Sequence, residues 1–241
     1  MDAHTAAAIR AVLDEAGRVH IAGFLRKDTA QALYDEMQSL DWRVATQKGD
    51  PLAALRSADL EAMSRDEREA FLSDVHDHAR KDNFQYLYDE FRLSDACLTG
   101  EMPRGPLADF YAYLNSDAMM ATFREMTGDA NIVFADAMVS RYRAGHFLTA
   151  HDDRKEPDHR RFAYVFNFTP DWRPDWGGLL TFFSKDGHVT EAFSPRFGAL
   201  NLFKVPQLHA VSIVAPFTRG DRFSITGWLR AQRPQLGAAS Q

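Results

Sequence analysis

From Asn131 the chain reads NIVFADAMVSRYRAGHFLTAHDD (residues 131–153), and this stretch decides the fold class. Its apolar and aromatic residues come in runs too short for helices: Ile132–Tyr142, then Phe147–His151. The same texture continues through Arg161–Thr169, Leu179–Phe183, His188–Phe193, Ala199–Val205, His209–Val214 and Arg222–Arg230. Short runs rich in Val, Phe, Tyr, Ile and Thr, punctuated by Gly, Pro and Asp, read as strands. At this spacing they predict a β-sandwich or jelly roll.

Upstream the pattern is different. Thr5–Ala16 is Ala-rich and helical, and Asp28 is placed to cap a helix through Leu33 and Met37 to Leu40. Between them Arg18–Leu25 alternates like a short strand. Gly49, Asp50 and Pro51 break the chain. Ser64 and Glu67 then form a capping box ahead of a charged amphipathic helix through Phe71, Val75, Phe84 and Leu87. A loop over Gly100–Pro106 precedes a helix over Leu107–Met126, ended by Gly128. The expectation is an α+β protein with 1–241 as a single domain. Residues 1–130 are a mainly helical supporting region, 131–231 the strand-rich core, and 232–241 a frayed tail.

The 241 residues are 45% hydrophobic and 26% charged, which are globular proportions. A formal net charge of −6 argues against a nucleic-acid backbone as the main partner, since that needs a basic face. The single cysteine, Cys97, excludes an intramolecular disulfide and any Cys-rich zinc site. The first residues carry acids early and no long apolar run, and no window approaches the ~20 apolar residues that span a bilayer. A cytoplasmic protein without membrane contact is expected. The oligomeric state is not legible.

Three features of the β-rich half converge on one chemistry. In a strand, residues i and i+2 share a face, so His151 and Asp153 of His151-Asp152-Asp153 can reach one metal ion together. His209 opens a later strand. Two imidazoles and one carboxylate suit iron(II), leaving positions open for a chelating cosubstrate and O2. Arg222 and Ser224 share a face of the last strand, and a guanidinium fork beside a hydroxyl suits a carboxylate. Each piece is weak alone; their order is what counts.

Tyr142-Arg-Ala-Gly145-His-Phe-Leu148-Thr-Ala-His151-Asp-Asp153 resembles the Y-x-x-G-x-x-L-x-x-H-x-D element of prolyl-4-hydroxylase-like iron(II)/2-oxoglutarate-dependent oxygenases. Gly177-Gly178-Leu179-Leu180, the LFKVPQLHAV stretch with His209, and Arg222-Phe-Ser-Ile-Thr-Gly-Trp228 follow in that family's order. The likeness is greatest to the ribosomal-protein prolyl hydroxylases and their bacterial relatives. It implies a double-stranded β-helix (jelly-roll) core, iron(II) held by His151, Asp153 and His209, and 2-oxoglutarate anchored by Arg222 with Tyr142 and Ser224. The implied reaction uses O2, with ascorbate as a candidate reductant, hydroxylates a C–H bond, and releases succinate and CO2. A prolyl residue of a protein or peptide is the implied substrate, and no side chain beyond the metal ligands need act catalytically. Arg219 rivals Arg222 as the anchor, and Asn167 stands where close relatives carry Tyr. The alternatives are an oxygenase of a free amino acid or other small molecule, and a cupin-like metalloenzyme without 2-oxoglutarate.

Other residues have plainer readings. His76-Asp77-His78 falls in a predicted helix, where i and i+2 diverge by about 200°. His146, His159 and His188 read as surface residues near turns. Asp152 points away from its neighbours and is expected to bond local backbone.

Overall fold

The computed structural model describes residues 3–47, 55–81, 83–154 and 159–233. The breaker at Gly49–Pro51 and residues 234–241 of the tail lie outside them. The first half runs α1 (Ala3–Ala16), β1 (Arg18–Ile21), α2 (Lys27–Met37), β2 (Arg43–Thr46), α3 (Ser57–Ala62), α4 (Arg65–Arg80) and β3 (Tyr86–Phe91). Three helices follow: α5 (Leu93–Thr99), α6 (Pro106–Leu114) and α7 (Asp117–Thr127). Then come β4 (Phe134–Ala135), β5 (Met138–Tyr142), β6 (Phe147–His151), β7 (Arg160–Asn167) and β8 (Leu180–Phe183). β9 (Val189–Phe193), β10 (Leu200–Lys204), β11 (His209–Val211) and β12 (Arg222–Arg230) complete the sheet.

The strands pair antiparallel in the order β1-β10-β7-β12-β5-β3-β6-β11-β8-β9, with β2 on β3 and β4 on β12. The sheet curls into a nearly closed barrel of the jelly-roll type. Leu180 and Phe182 of β8 pack on Ala163 and Val165 of β7 and Phe203 of β10, although these strands are not ladder neighbours. The two ends of the path meet through side chains: Arg18 of β1 donates to Glu191 (2.5 Å) and Thr190 (3.1 Å) of β9.

Alternation along the central strands sorts the two faces. Tyr164, Phe166, Phe223, Ile225 and Leu229 face the helices and join Leu13, Leu33, Phe110 and Phe123 in the main core. The intervening Ala163, Val165, Arg222, Ser224 and Thr226 face the barrel interior. Gly227 is required where β12 meets the chain before β5, because a Cβ there would lie 1.9 Å from the Asp136 carbonyl oxygen.

Several elements differ from the sequence reading. Phe84 and Leu87 do not continue α4, which keeps its Ser64–Glu67 capping box but ends at Arg80; Tyr86–Phe91 is a strand between β5 and β6. The Leu107–Met126 helix is two helices, broken where Ser116 caps Met119 and the Asn115 amide bonds Ala135. α2 starts after Arg26, so Asp28 sits inside the first turn, accepting from Thr29 N–H at 2.8 Å. The first strand stops at Ile21, before a turn at Gly23. Among the described residues no helix is long and apolar enough to cross a membrane.

Candidate active site

β6 and β11 pair so that His151 and His209 lie directly opposite each other, with ring centroids 4.2 Å apart. His151 Nε2 is 3.4 Å from one Asp153 oxygen and His209 Nε2 is 3.5 Å from the other. One ligand atom from each of the three falls within 4.8 Å of the others, as a shared ion requires. Both Nδ1 atoms face backbone carbonyls, His151 that of Thr149 (3.0 Å) and His209 that of Gln207 (2.7 Å). A carbonyl only accepts, so each Nδ1 carries a proton and Nε2 is the ring nitrogen turned toward Asp153.

The electrostatics suit ligation. Burial, with His151 beside it, pushes the His209 imidazole down to about 4, so it is neutral at neutral pH. Burial works to raise the Asp153 carboxyl, but its contacts with His151 and His209 outweigh that and hold it below the ordinary carboxylate value.

Asp153 reaches this position by a different route from the pleat argument. β6 ends at His151, and Asp153 adopts a left-handed backbone with φ of 60°. The chain leaves the sheet and turns, and the turn swings the carboxylate back between the imidazoles. Asp152, as expected, bonds local backbone, accepting from Arg154 N–H at 3.0 Å.

The trio borders a cavity of about 530 Å³ inside the barrel. Arg222 lies in its wall, 2% exposed, with its guanidinium carbon 5.0 Å from the centre of the Tyr142 ring. Among the described residues Arg222 forms no ion pair, and its Nε has no hydrogen-bond partner. Burial lowers its pKa, the signature of a cation without an anion. Tyr142 pairs with Arg222 across β5 and β12 and stacks on Tyr88 at 5.0 Å. Ser224, also in the wall, shares a 2.8 Å hydrogen bond with Ser140. Arg219, the rival, is exposed on a loop and outside the cavity wall. Asn167 is fully buried, with its amide directed to the carbonyls of Val165 and Ala199, and is not part of the wall.

Sequence reasoning missed one wall altogether. Tyr86 and Tyr88 line the cavity from β3 and Phe84 from the segment just before it, a stretch read as helix, and Phe84 lies 5.0 Å from the His151 ring. The signal was present, since aromatics at i, i+2 and i+4 mark one face of a strand. His146 was expected at the surface but is 5% exposed, enclosed near Asp89, Arg141 and Arg143. His159 and His188 are exposed as expected, and His76-Asp77-His78 sits on α4 away from the cavity.

Residues 137–230 match the family model of the 2OG-Fe(II) oxygenase superfamily. Over 111 residues the chain is 28% identical to prolyl 3-hydroxylase OGFOD1 of Xenopus laevis, covering 42% of this chain and 21% of that protein. The chain therefore spans about a fifth of the length of this curated relative. A prolyl-4-hydroxylase from Pseudomonas putida superposes with a TM-score of 0.61 at 20% identity, covering 95% of this chain and all of the other. A Trichoplax adhaerens prolyl hydroxylase, solved with a hypoxia inducible factor peptide fragment, gives 0.63 at 18% identity, covering 95% and 90%. At these identities the two structures speak for the fold.

Proposed function

We propose that this chain, whose residues 137–230 match the 2OG-Fe(II) oxygenase superfamily model, uses iron(II), 2-oxoglutarate and O2 to hydroxylate a C–H bond, with a prolyl residue of a protein or peptide as substrate. The observation that carries the proposal is the pairing of the His151–Asp153–His209 cluster with a buried, unpaired Arg222 in one cavity. The donor set fits iron(II), with two imidazole nitrogens and one carboxylate leaving coordination positions open. The orphaned guanidinium fits the distal carboxylate of 2-oxoglutarate.

In this reading His151, Asp153 and His209 hold the iron. Arg222 receives the cosubstrate's far carboxylate, with Tyr142 packed on the guanidinium and Ser224 beside it. When bound, the iron with 2-oxoglutarate and O2 supplies the oxidising power, and succinate and CO2 are released. The protein's part is placement. The apolar group of Tyr142, Val211 and Val214 lies at the Arg222 end and excludes water from the anchored end of the cosubstrate, and Phe84 and Tyr86 flank the His151 side, where substrate enters. The prolyl substrate is supported by the names of the relatives, OGFOD1 and the two prolyl hydroxylases.

The test is direct. Purified protein given iron(II), ascorbate and 2-oxoglutarate yields succinate, and Asp153→Ala abolishes it. Succinate formation that survives the substitution defeats the proposal. Mass spectrometry of peptides from treated extract, searching for a gain of one oxygen on proline, tests the substrate class; oxygen gained only by small molecules would transfer it to that class.

A further inference from the structure

Asp153 is the one member of the trio outside regular structure, and a left-handed backbone carries strain for a residue with a Cβ, less for Asp than for most. Something must hold it there. Arg160, the first residue of β7, donates from Nη1 to the Asp153 carbonyl at 3.3 Å and lies 4.0 Å from its carboxylate. Its guanidinium carbon sits 3.6 Å from the centre of the Trp228 ring. Trp228 is fixed in turn, because its backbone N–H donates to Asp136 Oδ1 at 2.5 Å, and Asp136 Oδ2 accepts from Arg230 at 2.6 Å. A planar fork laid on an indole has few rotamers left, which suits it to hold a backbone oxygen in place.

We infer that Arg160, stacked on Trp228, is a positioning residue that holds Asp153 in its left-handed turn so that its carboxylate faces both imidazoles. The inference rests on the proposed iron site and adds a dependence the ligands alone do not contain. The metal-binding geometry is set by a clamp on the ligand's backbone as well as by the ligand. Arg160 is a cation beside a cation site, so plain electrostatics makes the opposite prediction, tighter metal binding once its charge is removed. The two accounts differ in sign.

The experiment titrates the full-length protein with cobalt(II) alone, following the visible absorption of the bound ion, in wild type, Arg160→Met, Asp153→Ala and the double variant. Far-ultraviolet circular dichroism and a metal-free melt accompany each titration, so that affinity is read only on folded protein. Arg160→Met is expected to weaken binding about 10–100-fold, as loss of an outer partner of a ligand does. On the Asp153→Ala background the same change is expected to have no effect, because the carboxylate it positions is gone. Unchanged or tighter binding by Arg160→Met overturns the inference, as does an equal loss on both backgrounds. If Arg160→Met does not fold, Arg160→Lys, which keeps the charge and loses the planar stack, replaces it under the same criteria. Wild type that binds no cobalt counts against the iron site itself and is thereby told apart from failure of the clamp.

Discussion

Replacing Arg222 by Met is expected to stabilise the metal-free protein while destroying its affinity for 2-oxoglutarate. The guanidinium is 2% exposed and makes no ion pair among the described residues, so the folded chain carries the desolvation cost of a cation with nothing to offset it. That cost amounts to several kcal/mol per ion, and exchanging buried charge for apolar volume commonly gains about 1–4 kcal/mol. Losing the contact with the Tyr142 ring at 5.0 Å gives back part of this, roughly 1 kcal/mol. A net gain of about 2 kcal/mol corresponds to a rise of roughly 4–8 °C in the melting midpoint for a chain of this size. Binding moves the other way. Truncating one partner of a buried, hydrogen-bonded charge pair costs about 2–5 kcal/mol, so the Kd for 2-oxoglutarate rises roughly 30-fold to several thousand-fold. Differential scanning calorimetry of metal-free protein and isothermal titration of the manganese-loaded form measure the two quantities. Arg219→Met is the control; Arg219 is exposed, and its loss should change stability by less than about 0.5 kcal/mol. A lower melting midpoint for Arg222→Met, or a Kd within about threefold of wild type, refutes the reasoning. Loss of binding in Arg219→Met instead would move the anchor to the loop.

Two further outcomes follow from the packing. Burial holds His146 down at about 4, against 6.5 for a free imidazole, so the folded state resists its protonation. Its contribution is complete above pH 6.5 and is lost as pH falls from there toward about 4, a swing of roughly 3 kcal/mol. His209 contributes with the same sign, so the measurement is the difference in acid-side urea stability between wild type and His146→Gln; parallel pH profiles would exclude the effect. In Gly227→Ala the new Cβ meets the Asp136 carbonyl oxygen at 1.9 Å, and backbone must move. We expect a loss of about 3 kcal/mol or more in urea unfolding, at the upper end of overpacking costs, and a neutral result would show that the close approach does not exist.

The meeting of His151, Asp153 and His209 beside the cavity that Arg222 lines was legible because each lies in or beside a strand whose alternation is written in the sequence. The jelly-roll class was legible for the same reason, from Ile132 to Arg230. Residues 84–91 were not, because Phe84, Leu87 and Phe91 satisfy a helical spacing while Phe84, Tyr86 and Tyr88 satisfy a strand spacing. Only the open positions on β5 and β6 decide between them, and those are tertiary. Asp153 gave the right neighbour for an incomplete reason: the pleat argument ends at His151, and a turn does the rest. His146 was misplaced because flanking turn residues say nothing of the Asp89, Arg141 and Arg143 group that encloses it.

β3 has one more consequence. It is the splint between the half of the barrel that bears the two imidazoles and the half that bears the guanidinium, since β5 and β6 pair with it and not with each other. It also lies upstream of residues 137–230, so a fragment cut to the homologous segment would hold two ribbons with no ladder between them, joined only by packing such as that of β8 on β7 and β10. A shift of β3 by a single residue would turn Tyr86 and Tyr88 outward and bring the fully buried Asp89 into the chamber, setting a carboxylate against the Arg222 charge. The distance between where a metal would sit and where a cosubstrate's tail would rest is thus ruled by a strand that carries neither.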